Sequence, residues 1–105
     1  MTIQVYNCTA QFPDSERFGL INQLRRAAVS VASNIAEGYG RSTRGEYLQF
    51  LGHARGSICE VETQLYIARS LKFASDESLK KAETLCDECG RVLFAMIQKL
   101  KKPSP

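Results

Sequence analysis

A single histidine, His53, limits what this chain can catalyse. A di-iron bundle needs a Glu-x-x-His pair from each of two helices, and a zinc protease needs His-Glu-x-x-His. One imidazole builds neither. Cys86 and Cys89 form a C-x-x-C, whose redox or metal chemistry requires a helix N-terminus or further ligands to lower the thiol pKa. Both fall instead on successive core positions of a helical seam, in mid-helix, where cysteine acts as a small hydrophobe. Gly38-Tyr39-Gly40-Arg41 resembles a phosphate cradle, but helix capping accounts for both glycines. There is no Walker loop, dinucleotide fingerprint or nucleophile elbow. The expectation is a non-enzymatic protein with no catalytic residue, no metal site and no cofactor.

The remaining polar chemistry is cationic. Over residues 15–44, Arg17, Arg25, Arg26, Arg41 and Arg44 are set against Glu16 and Glu37 alone, an excess that equals the net charge of +3 for the whole chain. That asymmetry matters more than the total. In a cyclic oligomer each patch recurs, so a modest charge per protomer becomes a ring able to hold a phosphate backbone through counterion release. Arg25, Arg26, Arg41 and Arg44 are therefore the candidate nucleic-acid contacts, gripping RNA or DNA through phosphates without reading bases. The alternative is a protein-interaction scaffold or accessory subunit that binds no nucleic acid, its inner groove or small-residue face receiving a partner helix. Lys99, Lys101 and Lys102 read as charges complementing a helix C-terminus.

Those side chains must be held by some framework, and composition narrows it. A chain of 105 residues, 44% hydrophobic and 24% charged, fits one domain and excludes collagen, a Pro-rich linker and a disordered acidic tail. Its longest apolar run, Val92 to Ile97, is six residues, against about 18 for a membrane span. Residues 1–13 lack a basic segment followed by an apolar one, so no secretory leader is expected. The four cysteines lie within apolar periodic segments and not in the Gly-rich loops of a disulfide scaffold. Reduced thiols and a cytoplasmic location are expected.

Breaker residues cluster at 12–15, 38–43 and 73–76, which divides the chain into four segments. Ile21, Leu24, Ala28, Val31 and Ile35 recur at steps of three and four, as do Tyr47, Leu51, Ala54, Ile58, Val61, Leu65 and Ala68. Leu79, Ala82, Cys86, Cys89, Leu93, Met96 and Leu100 repeat the pattern, which is that of amphipathic helices. Thr43 with Glu46 forms a capping box, Ser75 or Asp76 caps the last helix, and Pro103 follows it. Gly38 or Gly40 is expected to close the second helix in the left-handed conformation. The spacing predicts helices over about 2–11, 15–39, 43–72 and 76–101. Short connections make them antiparallel, giving an all-α, up-down-up-down four-helix bundle with a short first helix. The second and third helices pivot near Arg41, which sets Arg25 and Arg26 level with residues 57–60 and within reach of Glu60. A short first helix cannot close a symmetric bundle, so either the chain continues upstream or another subunit or partner covers part of the inner groove.

The run Gln23-Leu24-Arg25-Arg26-Ala27-Ala28-Val29-Ser30-Val31-Ala32-Ser33-Asn34-Ile35-Ala36-Glu37-Gly38 resembles the signature of the four-helix-bundle proteins encoded by intervening sequences of bacterial large-subunit ribosomal RNA genes. The resemblance extends through Phe12-Pro13, residues 46–51 and residues 54–65, covering 12 to about 73 closely and the last helix in character. It implies an antiparallel bundle assembled as a barrel-like homopentamer, in a family for which no enzymatic activity is established. It also implies kinship with the accessory proteins of diversity-generating retroelements, similar bundles thought to contact nucleic acid and a reverse transcriptase. Relative to that pattern, this chain has a shorter first helix before the Phe-Pro turn.

Overall fold

The steps of three and four along the sequence fold as helices, and the apolar seams become one core. The computed structural model describes residues 1–102, and these contain four α-helices and no strand. The helices are α1 (Thr2–Thr9), α2 (Asn22–Tyr39), α3 (Arg44–Ser70) and α4 (Asp76–Lys101). Pro103, the expected stop after α4, lies outside the described residues. Leu24, Ala28 and Val31 of α2 meet Leu51, Ala54, Ile58, Val61, Leu65 and Ala68 of α3 in the interior. Leu79, Ala82, Cys86, Leu93 and Ile97 complete it from α4, and Val5 and Cys8 from α1. Each buried leucine contributes about 1.5–3 kcal/mol by leaving water. Every helix packs on its successor and α1 closes against α4, so the fold is the antiparallel up-down-up-down bundle, 51 × 22 × 17 Å.

Capping fixes where the long helices begin. The Thr43 hydroxyl oxygen accepts from the Glu46 N–H at 3.1 Å, and Ser75 accepts from the Ser78 N–H at 3.2 Å. Each satisfies one N-terminal N–H that no helical carbonyl can reach. The start of α2 departs from expectation, at Asn22 and not at Ser15. Between Phe12 and α2 the chain makes a 3₁₀ turn over Asp14–Glu16 and a wide π-type turn over Arg17–Ile21. Gly19 sits there at φ −106°, ψ −113°, outside helical geometry, while the Glu16 carboxylate accepts from the Leu20 N–H at 3.2 Å. Ile21 and Leu24 keep the helical period across this break, so the apolar pattern does not register it.

The left-handed closure expected at Gly38 or Gly40 does not occur. No glycine has positive φ, and Gly40 ends α2 at φ −79°, ψ −3°. Gly38 is buried within α2, and a Cβ there would stand 2.9 Å from the Phe50 Cβ and 3.0 Å from the Tyr47 Cδ1. Its role is close approach of α2 to α3. Among the described residues the one left-handed residue is Lys72, at φ 58°. It closes α3 in a Schellman motif, with the Phe73 N–H donating to the Ala68 carbonyl at 3.0 Å and the Lys72 N–H to the Arg69 carbonyl at 3.1 Å.

The two ends of the bundle differ. At the end holding the α1–α2 and α3–α4 connections, Phe12 packs on Phe73 with ring centroids 5.6 Å apart, and the Gln11 side-chain carbonyl accepts from the Ser75 N–H at 2.9 Å. Arg69 donates to both carboxylate oxygens of Glu83, at 2.9 and 2.7 Å, and to Asp76 at 2.5 Å. That fork raises the guanidinium pKa, chiefly through Glu83, and holds the Asp76 carboxyl below its usual value. The opposite end holds the α2–α3 turn and the last turn of α4. Because α1 is one short helix, the α2–α4 groove beyond it is open, a hollow of about 270 Å³ whose lining includes Ile35, Cys89, Val92, Leu93 and Met96.

Candidate functional site

Topology gathers cations at the α2–α3 turn. Arg41 lies in the turn and Arg44 opens α3, while the antiparallel course of α4 returns Lys99, Lys101 and Lys102 to the same end. Arg44 joins the two segments, its Nε donating to the Leu100 carbonyl and its Nη2 to the Lys102 carbonyl. These acceptors are the last turn of α4 and its C-cap residue, where carbonyls lack helical partners and cations are favoured. Arg44 therefore fastens the end of α4 while adding charge beside the three exposed lysines.

Arg41 is held in place by its neighbours. Its guanidinium lies 4.6 Å from the Phe50 ring centroid, and Nη2 donates to the Glu37 carboxylate at 2.9 Å, with Glu46 at 4.0 Å. Exposed His53 stands edge-on to Phe50 at 5.9 Å. Tyr39, the last residue of α2, has 80% of its surface in solvent, and its ring meets Tyr47 at 84° with centroids 6.4 Å apart. Glu37 and Glu46 are the acidic residues among these groups, so cations prevail. The arrangement offers charge for phosphates and an aromatic surface beside it. It contains no nucleophile-base pair.

The four arginines singled out from the sequence are not brought together. Arg25 lies more than about 20 Å along α2 from Arg41, at the rise of 1.5 Å per residue. Its Nε donates to the Thr9 hydroxyl at 2.7 Å, its Nη2 to the Tyr6 carbonyl at 3.4 Å, and its guanidinium lies 4.6 Å from the Tyr6 ring centroid. Arg25 thus secures α1 to α2, and the expected contact with Glu60 is absent among the described residues. The commitment to Thr9 and Tyr6 explains this: Ser30 faces Ser57, their hydroxyls 2.9 Å apart, so Arg25 and Arg26 lie within two residues of the level of Glu60, but Arg25 is turned toward α1. Arg26 is exposed on the shaft of α2. Sequence reasoning missed Tyr39, Phe50 and the return of the α4 lysines; a turn flanked by aromatics and arginines was the available signal.

The C-x-x-C residues occupy the shaft of α4. The Cys86 thiol is buried, lies 3.8 Å from the Ile58 carbonyl as a weak donor, and is pushed up to about 12 by burial and then by Glu62. That is opposite to the lowering an attacking thiolate needs. Burial likewise raises the Cys8 thiol. A surface hollow of about 470 Å³ lies between α1 and α4 at the other end, where Glu77 pairs with Lys81 at 3.5 Å and Lys80 also lines the wall.

A model of the 23S rRNA-intervening sequence protein family matches residues 1–95. The chain belongs to that family. The match takes in α1 and most of α4, more of the chain than the conspicuous run in α2. No curated protein matches it. Among solved structures, it is similar to a protein of unknown function from the S23 ribosomal protein family of Bacteroides thetaiotaomicron, with a TM-score of 0.80 at 19% identity over 91% of this chain and 87% of that one. At that identity the likeness speaks for the fold. No helix among the described residues is long and apolar enough to cross a membrane.

Proposed function

We propose that this member of the 23S rRNA-intervening sequence protein family is a non-enzymatic, cytoplasmic nucleic-acid-binding bundle whose α2–α3 end grips phosphates. The observation that carries this is the convergence of Arg41, Arg44, Lys99, Lys101 and Lys102 from segments far apart in sequence, beside an exposed aromatic. The opposite end supports the same choice by contrast, since Arg69 there is neutralised by Glu83 and Asp76. Phosphate contacts dominate, so affinity falls with salt at about 0.7–0.9 log unit per phosphate per decade of salt concentration. Titration of labelled RNA and DNA at about 50 and about 200 mM salt tests this. Lys101→Glu with Lys102→Glu weakens binding and flattens the salt slope. Absence of binding at the lower salt refutes it.

Assembly into a homo-oligomer, a pentamer by the family resemblance, has separate support. The open groove of Ile35, Cys89, Val92, Leu93 and Met96 prolongs the one that α1 fills, where Thr2 already donates to the Ala28 carbonyl at 3.2 Å. A neighbouring protomer seated there would repeat the cationic end around a ring. Under the scaffold alternative, a helix of another protein takes that place. Light scattering tests the homo-oligomer: a mass that is a multiple of 11.7 kDa is expected, and a strict monomer contradicts it.

A further inference from the structure

Three features of the α2–α3 end bear on which form of nucleic acid it suits. The first is shape. A duplex is read by an element that enters a groove, and the major groove admits a helix or a two-stranded ribbon. This end offers a four-residue turn, Gly40 to Thr43, between helices that run back into the bundle. The second is the aromatic surface. Tyr39 is 80% exposed, and its neighbour Tyr47 meets it near perpendicular, so stacking area is left in solvent. Base faces stack on such rings irrespective of sequence, and within a duplex every internal base already has both faces covered by its neighbours. The third is Arg41, a planar cation whose position over Phe50 is set by the ring and by Glu37 before any ligand arrives.

Exposure alone does not single out Tyr39, since Phe18 is 89% and Tyr66 70% exposed; Phe18 sits in the turn that carries Asp14 and Glu16 against Arg17 alone. The charge around them differs. Tyr66 shares a surface hollow with Glu62, Glu83 and Asp87, which repel a phosphate backbone. Tyr39 stands with Arg41, Arg44 and the α4 lysines, which attract one.

We propose that this end takes single-stranded nucleic acid, with an unpaired base stacked on Tyr39 beside the Arg41–Phe50 pair and the flanking phosphates held by Arg44, Lys101 and Lys102, an assignment that rests on the nucleic-acid reading above. Stacking supplies what charge alone lacks, a preference for strands whose bases are free. Loss of one stacked base costs about fivefold or more in affinity. Arg44 has a second duty at the end of α4, so the informative substitutions are at the exposed tyrosines.

The experiment is fluorescence anisotropy with the full chain at low salt, using a labelled 12-nucleotide single strand as RNA and as DNA, and the blunt DNA duplex of the same sequence. Wild type is expected to bind a single strand at least about fivefold more tightly than the duplex. Tyr39→Ala removes that preference, Tyr39→Phe keeps it, and Tyr66→Ala leaves it unchanged, all with native helicity. Equal or tighter binding of the duplex, or single-strand affinity unmoved by Tyr39→Ala, overturns the single-strand assignment and leaves salt-dependent phosphate binding standing. No binding of any of these ligands overturns both.

Discussion

The same substitution, glycine to alanine, is expected to act with opposite sign at two positions of this bundle. Gly38 is buried where α2 meets α3, and a Cβ there stands 2.9 Å from the Phe50 Cβ, 3.0 Å from the Tyr47 Cδ1 and 3.3 Å from the Tyr47 carbonyl oxygen. The Phe50 Cβ is fixed to its backbone, so the helices must separate. Alanine gains about 1 kcal/mol of helix propensity over glycine, whereas overpacking a close contact costs about 1–3 kcal/mol. A net loss of about 1 kcal/mol is expected for Gly38→Ala. Gly52 is exposed in mid-α3 with nothing within 4 Å of its added Cβ, so Gly52→Ala keeps the full gain of about 1 kcal/mol. For a domain of this size, each kcal/mol moves Tm by about 4–8 °C. Helicity followed through heating and urea titration reads both variants, with unchanged m-values as the check that only stability moved. Equal stabilisation by the two substitutions refutes the close approach at Gly38. Destabilisation by Gly52→Ala, accompanied by a fall in mass on light scattering, refutes an open outer face on α3.

Lys72 holds φ 58° at the end of α3, where a side chain is disfavoured by about 1 kcal/mol, so Lys72→Gly is expected to raise the urea midpoint by a comparable margin. The Asp76 carboxyl is held below its usual value by Arg69, which stabilises the fold above the unfolded carboxyl pKa, about 4. That contribution disappears as pH falls through the lower folded value, and Arg69→Gln should reduce this part of the acid dependence of the urea midpoint between about pH 5 and 2. Thiol labelling of the native protein at about pH 8 should modify exposed Cys59 while sparing Cys86, pushed up to about 12, and buried Cys8, until urea is added; rapid native labelling of Cys86 contradicts its packing.

Much of the architecture was legible because three-four periodicity and caps are local signals. Leu51, Ala54, Ile58, Val61, Leu65 and Ala68 follow one stripe of α3 into the core, and Thr43 and Ser75 cap the helices they precede. The break at Gly19 was not legible, because side-chain period persists through a backbone excursion. Gly38 was misread for a related reason: capping and close approach both exploit the missing Cβ, and only the position of Phe50 and Tyr47 distinguishes them. The candidate site was half legible. Arg41 and Arg44 share one end of the bundle, but charge counted along the chain cannot separate them from Arg25, which is committed to Thr9 and Tyr6. Nor does local sequence reveal that Lys99, Lys101 and Lys102 return to Arg44, a consequence of antiparallel packing over the length of α3 and α4.

Which end of the bundle meets nucleic acid can be tested directly by ultraviolet cross-linking of the full chain to an unmodified single strand, followed by mass mapping of the linked peptides. Cross-links on Tyr39 and its neighbours Tyr47 and Phe50, abolished by raising salt, are the expected result. Cross-links confined to Tyr6 or Tyr66, away from the α2–α3 turn, would contradict it.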